Sequence, residues 1–236
     1  MQILNRIKLL IYKALGRFPF SLGLSTRFQI KAIKYNVRLM APEAQEEFKR
    51  ILPQVSEKIS IDLGANLGVY TKLLANYSKL VIAFEPDPWT FEKLNENVGY
   101  IKNVKLENLA VGPSDGFVKL YRHEDFDCDK AFFSESSSVW CRSDFNEGDS
   151  VDVNQVDFIR YIEDLDEDIG MIKMDIEGME LELLEALFLR PDLLSRIDYI
   201  FVETHERLFP DKFARFNQVR KQVHQIHKPK INLNWH

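Results

Sequence analysis

The sequence predicts an α/β fold with a mostly parallel sheet and helices on both of its faces. Three observations carry that prediction. Short apolar runs at 59–63, 80–84 and 171–174 alternate with helical patterns, and strand-helix-strand order at this spacing implies right-handed crossovers and parallel pairing. An acid stands at or just past the end of each run: Asp62, Glu85 and Asp175. A glycine turn, Gly64-Ala65-Asn66-Leu67-Gly68, follows the first run. In open α/β sheets ligands bind at the carboxyl ends of the strands, where these acids fall.

The elements follow in order. Residues 2–15 read as a helix, with Ile3, Ile7, Leu10 and Ala14 at helical spacing and Gly16 and Pro19 as stops. A second helical pattern covers 24–35, striped by Leu24, Phe28, Ala32 and Tyr35. Pro42 suits the first turn of a separate short helix reaching Leu52, which Pro53 ends. Strands are then expected at 59–63, 80–84 and 104–108, separated by helices at 69–76 and 89–98. Asn66 is placed to cap the first of these helices. Phe117–Tyr121 alternates like an extra exposed strand. Residues 122–150 are polar and aperiodic, which reads as a loop or as a flap over the ligand edge. Further strands are expected at 151–156, 171–174, 199–202 and 231–235, and helices at 158–165, 179–188 and 211–226.

At 236 residues, 45% apolar and 12% aromatic, the chain fits one domain over 53–236 with a helical extension over 1–52. Cys128 and Cys141 form neither a disulfide framework nor metal-ligand spacing, so a reducing compartment is expected. No apolar run approaches the roughly 18 residues of a spanning helix. The run Leu9–Tyr12 is too short for a signal-peptide core, so the expected place is the cytoplasm, peripheral to a membrane at most. The net charge of −5 hides a split: residues 1–38 carry +8 with no acid, leaving −13 for the rest. Two readings of that arm stand: a solvated basic face on packed helices, or contact with a membrane surface or an anionic glycan. Nucleic acid fits poorly, because basic and aromatic residues do not interleave.

Glu85 lies 21 positions after Gly64, where an acid on the neighbouring strand tip accepts from the hydroxyls of a ribose. A dinucleotide site wants G-x-G-x-x-G for its pyrophosphate, and here the middle glycine is missing. Asp62 before the turn would repel a pyrophosphate. It suits a ligand with an ammonium, a ribose and no phosphate, as in S-adenosylmethionine.

Five pieces in order then resemble the FkbM-type family of S-adenosylmethionine-dependent O-methyltransferases: Ile61 to Gly68, Phe84 to Pro88, Asn108 to Gly112, Ile172 to Glu180 and Val202 to Glu206. The resemblance implies a class I methyltransferase (Rossmann-like) sheet of the seven-stranded type. It implies that Asp62, Gly64, Ala65 and Asn66 wrap the methionine part, that Glu85 takes the ribose, and that Asn108, Leu109 and Ala110 lie by the adenine. Gly68, Tyr70 and Thr71, in the first piece or just past it, and Pro86 complete the expected cofactor contacts. Asp175, Glu177, Glu203 and His205 would form the reaction centre, with Asp175 also beside the cofactor. Glu177 and Glu180, three apart, are expected on one face at the start of a helix.

Methyl transfer to an oxygen needs in-line orientation and a base. His205 is the expected base, oriented by Glu203, with Asp175 or Glu177 competing. A divalent ion such as magnesium on Asp175 is an alternative. The expected acceptor is a sugar hydroxyl in a glycan or glycolipid, or else a polyketide-like product. The rival classes are a NAD-dependent oxidoreductase and a non-catalytic cofactor-binding module. One departure from the family pattern is expected at the end, where a closing strand is missing, supplied by a partner chain in a homo-oligomer, or replaced by the N-terminal segment.

Overall fold

A computed structural model describes residues 2–17, 22–134, 137–140 and 145–235. Two helices open the chain, α1 (Gln2–Leu15) and α2 (Leu22–Ile51). After a 3-10 turn at Leu52–Val55 come β1 (Ile59–Leu63), α3 (Val69–Ala75), β2 (Leu80–Phe84), α4 (Pro88–Val98) and β3 (Val104–Glu107). Then follow β4 (Ala110–Gly112), β5 (Gly116–His123), α5 (Lys130–Phe133), β6 (Phe145–Asp157), α6 (Phe158–Glu163) and β7 (Ile169–Met174). The chain ends with α7 (Glu180–Phe188), α8 (Pro191–Leu194), β8 (Ile197–Val202), α9 (Phe213–Val223) and β9 (Lys230–Asn232).

The main sheet has six strands in the order β3-β2-β1-β7-β8-β9, and every pairing in it is parallel. The chain runs from β1 outward to β3, then returns to the other side of β1 as β7. That reversal makes the gap between β1 and β7 the topological switch point. A second sheet, β4-β6-β5, stands beside it.

Side chains alternate across the main sheet, and the core divides with them. Ile82 and Phe84 of β2, Ile172 and Met174 of β7, and Ile200 and Val202 of β8 join one cluster with residues of α6, α7 and α9. Val81, Met171 and Phe201 face the other way, onto Phe48 and Ile51 of α2 and Leu74 of α3. The strands are therefore buried on both faces, which is why they read as nearly unbroken apolar runs.

Several expectations change. The two helices expected over 24–52 are one, and Pro42 lies inside it. Its ring is exposed, while Ala41, Ala44, Phe48 and Ile51 bury the opposite face, so packing carries the helix past one lost hydrogen bond. The cap of α3 is Gly68 at φ +89°, not Asn66. Helix α7 starts at Glu180, so Glu177 precedes it in a left-handed turn at φ +53°. The closing segment supplies one strand, β9, parallel to β8, so the main sheet has six strands rather than seven among the described residues. The region expected as a flap contains α5 and the start of β6. Pro19, Glu135, Ser136 and Cys141 lie outside the described residues.

Candidate active site

The carboxyl ends of β1, β2, β7 and β8 open onto a cavity of about 550 Å³, a size typical of small-molecule sites. The glycine turn forms one wall. Gly64 has φ +76°, and a Cβ there would meet the Asp175 carbonyl oxygen at 1.8 Å. The glycine is thus required by the close approach of the chain ends after β1 and β7 at the switch point. Gly68 packs on α4, where a Cβ would meet Leu94 and Val98 at 2.8 and 2.9 Å.

Glu85 is 7% exposed. Its Oε2 accepts from the Asn66 N–H and its Oε1 from the Asp87 N–H, both at 2.9 Å. Burial pushes its carboxyl up to about 7, against the pull of those two donors. Asp87 caps α4 through Trp89 and Thr90 and is held by Arg122 at 2.6 Å. Asn108 donates to the Glu85 and Pro86 carbonyls, so it fixes the turn after β2.

Lys173 is the hub that sequence reasoning missed. It is 3% exposed, donates to the Gly64 carbonyl at 2.7 Å and faces Asp62 Oδ1 at 3.2 Å and Asp175 Oδ2 at 3.8 Å. The rings of Tyr70 and Trp235 flank its ammonium at 5.6 Å each. Burial opposes the charge, but Asp62 and Asp175 outweigh it and keep the pKa above the ordinary 10.5. A signal was available: a lysine inside an apolar strand is tolerated only when paired. Asp62 is fully buried and accepts from Thr71 Oγ1 at 2.7 Å. It is an internal counter-charge and does not line the cavity.

On the other side, Asp175, Glu177 and Glu203 line the cavity. The Asp175 carboxyl is raised to about 7, chiefly by burial; Lys173 pulls it down and Glu203 pushes it up. His205 is 1% exposed and does not line the cavity. Its Nδ1 meets Glu180 Oε1 at 2.9 Å, and its Nε2 faces Glu177 at 3.4 Å and Glu203 at 3.7 Å. Burial alone would favour the neutral ring, but Glu180 and Glu177 outweigh it and hold the pKa well above 6.5. The ring is clamped between carboxylates that favour its protonated form, and it does not reach the cavity. Glu180, fully buried, also accepts from the Ile176 and Gly178 N–H groups.

Asp175, Glu180 and His205 bring possible ligand atoms within 4.8 Å of one another. Magnesium prefers oxygen ligands, so the two carboxylates suit it better than the His205 ring, which is already paired with Glu180 at 2.9 Å.

Of the expected cofactor residues, Gly64, Ala65, Asn66, Tyr70, Glu85, Pro86, Leu109, Ala110 and Asp175 line the cavity. Asp62, Gly68, Thr71 and Asn108 do not: Asp62 pairs with Lys173, Gly68 donates to the Ala65 carbonyl, Asn108 donates to the Glu85 and Pro86 carbonyls, and Thr71 donates to Asp62 one layer further in. Ser134, Ser137 and Val139, from the segment expected to flap over the edge, also line it. So do Lys173, Arg207 and Trp235, none of which was expected. Arg207 is exposed at this edge and has no ion-pair partner among the described residues.

Comparison with known proteins gives a consistent result. Hexuronic acid methyltransferase AglP of Haloferax volcanii is 21% identical over 209 residues, covering 87% of this chain and 81% of that protein. Methyltransferase 1 of Beauveria bassiana is 23% identical over 159 residues, covering 58% and 61%. A Streptococcus mutans protein solved with S-adenosylhomocysteine aligns at a TM-score of 0.45 and 16% identity, over 77% of this chain and 84% of that one. The family model of the methyltransferase FkbM domain matches residues 62–226, from the acid of the first motif to the end of the last helical stretch. The chain therefore belongs to the FkbM methyltransferase family, with the class I α/β architecture described above.

Proposed function

We propose that the protein moves the methyl group of S-adenosylmethionine to a hydroxyl of a sugar, most specifically an acidic sugar in a glycan or glycolipid. The observation that carries this reading is that Glu85 and Asp175 open onto one cavity from opposite sides of the switch point. Glu85 with the turn Gly64–Leu67 offers a ribose-binding carboxylate and a close backbone approach. Leu109 and Ala110 offer an apolar wall for the adenine. Asp175 then stands where the methyl is presented.

The chemistry needs a base for the acceptor hydroxyl. Asp175 is that base in this reading: it reaches the cavity, and a carboxyl raised to about 7 is matched to operation near neutral pH. It attracts the hydroxyl proton as the acceptor oxygen attacks the methyl, and the cofactor leaves as a neutral thioether. Lys173 positions Asp175, and His205 holds Glu177 and Glu180 in place. A metal has no step in this scheme. Arg207 supplies a cation for a sugar carboxylate, in keeping with the hexuronic acid named for the Haloferax volcanii relative.

The test is methyl transfer from labelled S-adenosylmethionine to a panel of neutral sugars, hexuronic acids, lipid-linked glycans and small hydroxylated natural products. Label in hexuronate-containing acceptors supports the proposal. Label only in small natural products overturns the acceptor class. Thermal protection by NAD and none by S-adenosylhomocysteine overturns the cofactor. EDTA should leave the rate unchanged.

A further inference from the structure

Helix α1 is turned outward. Ile3, Ile7, Leu10, Ile11 and Ala14 form one stripe at helical spacing, with Leu4 beside it, and all are exposed. The large side chains range from 49% exposed at Ile7 to 76% at Ile3. The half-buried face is mixed, with Asn5, Lys8 and Tyr12 beside Leu9 and Leu15. Tyr12 stacks on Phe28 and Tyr35 at centroid distances of 6.2 and 5.6 Å, Lys8 lies over Tyr35, and Ser25 and Gln29 donate to the Gly16 carbonyl. A helix in water ordinarily buries its apolar stripe. This one presents it, so neither a simple solvated basic face nor packing of the stripe on the body describes the arm.

Charge surrounds the stripe on one side. Arg6, Lys13 and Arg17 are exposed on α1 and the turn after it. On α2, Arg27, Lys31, Lys34 and Arg38 are exposed at spacings of four, three and four, which puts them on one ridge. None of these seven has an ion-pair partner among the described residues. Residues 1–38 contain no acid to neutralise them.

We infer that the α1–α2 hairpin docks on an anionic lipid bilayer. The Ile/Leu stripe enters the boundary between headgroups and acyl chains, and the basic residues meet lipid phosphates. Charge decides among occupants. A second copy packed stripe to stripe would set two all-cationic arms against each other. A nucleic acid would use the basic ridge but leave the apolar stripe in water. No helix among the described residues is long and apolar enough to cross a membrane, so the contact lies on the surface. Helix α2 continues unbroken from the hairpin to Phe48, which packs on Tyr70 and Trp235 at 5.7 and 5.9 Å. Those two residues line the cavity, so the docking arm is built into the wall of the site. The inference does not depend on which acceptor the cavity takes.

The test is flotation of the full chain with vesicles of phosphatidylcholine alone or mixed with phosphatidylglycerol. The expected result is association with the mixed vesicles only, weakened by salt. The pair Ile7→Glu and Leu10→Glu should lower it at least about tenfold, and so should Lys31→Glu with Lys34→Glu. Both pairs should keep the parent Tm and the parent rate on a soluble acceptor. If the first pair does not fold, the second decides. Failure of the parent chain to float with phosphatidylglycerol overturns the inference. So does a parent dimer in sedimentation that the first pair dissolves without any vesicle binding, or binding that charge reversal leaves intact.

Discussion

The two sides of the switch point are built on different principles. On the β1–β2 side the ligand wall is mostly backbone: a glycine turn, the Asn66 and Asp87 N–H groups, and one carboxylate that they hold. On the β7–β8 side the wall is a set of interlocked charges, in which Lys173 and His205 hold Asp62, Asp175, Glu177, Glu180 and Glu203 at short range. A backbone wall suits a constant partner, since carbonyl and N–H positions barely move. A charged wall suits chemistry, because neighbouring charges set which group carries the proton. In the proposed reading the cofactor lies on the first side and the proton transfer on the second.

That division can be broken in several ways. Gly64→Ala should have the largest effect, because the added methyl would overlap the Asp175 carbonyl in a left-handed turn that disfavours it. The expected outcome is failure to fold, or a fall in Tm by many degrees, read by thermal unfolding. Lys173→Met should come next, costing about 3–5 kcal/mol by leaving Asp62 buried without its partner, read by denaturant unfolding. Glu85→Ala should weaken S-adenosylhomocysteine by about ten- to a hundredfold in calorimetry above pH 7, where the carboxylate is ionised and its charge-assisted hydrogen bonds to a ribose contribute roughly 1.5–3 kcal/mol. Arg207→Ala should raise KM for an acidic sugar severalfold and leave kcat and the KM for S-adenosylmethionine unchanged.

Two further expectations concern pH. If Asp175 is the base, its deprotonated form works, so kcat/KM should climb as pH rises through about 7 and then level off. Stability of the ligand-free protein should move the opposite way. Folded Glu85 holds its proton up to about 7, whereas the unfolded carboxyl loses it near 4.5. Its contribution is fully present below 4.5 and is lost by about 7, a fall of roughly 2–4 kcal/mol. A stability that rises across that window would contradict the burial of Glu85.

The same contrast explains what was legible in the sequence. The strands at 59–63 and 80–84 were read to the residue, because parallel strands buried on both faces are nearly unbroken apolar runs. The turn was legible because Gly64 and Gly68 take positive φ, and Glu85 because it follows the next apolar run directly. The charged wall was legible only as a list of acids. Which of them faces the cavity depends on the left-handed turn at Glu177 and on Lys173 beneath, and neither follows from spacing. His205 looked like a base because a histidine at a strand tip has an ordinary pKa near 6.5. Pairing with Glu180 and Glu177 raises that value against the effect of burial, and only tertiary structure brings those partners together. Pro42 misled for a related reason: its exposed position on α2 let packing on the other face override a local helix signal.

The most direct test compares Asp175→Asn with His205→Gln, measuring methyl transfer and S-adenosylhomocysteine affinity on the same folded samples. Asp175→Asn should lose about 10²–10⁴-fold in kcat, with affinity within a few-fold of the parent. His205→Gln should lower Tm yet keep most of the rate at a temperature where it is folded. A folded Asp175→Asn protein working at the parent rate, beside a folded and inactive His205→Gln protein, would contradict the account and return the base to His205.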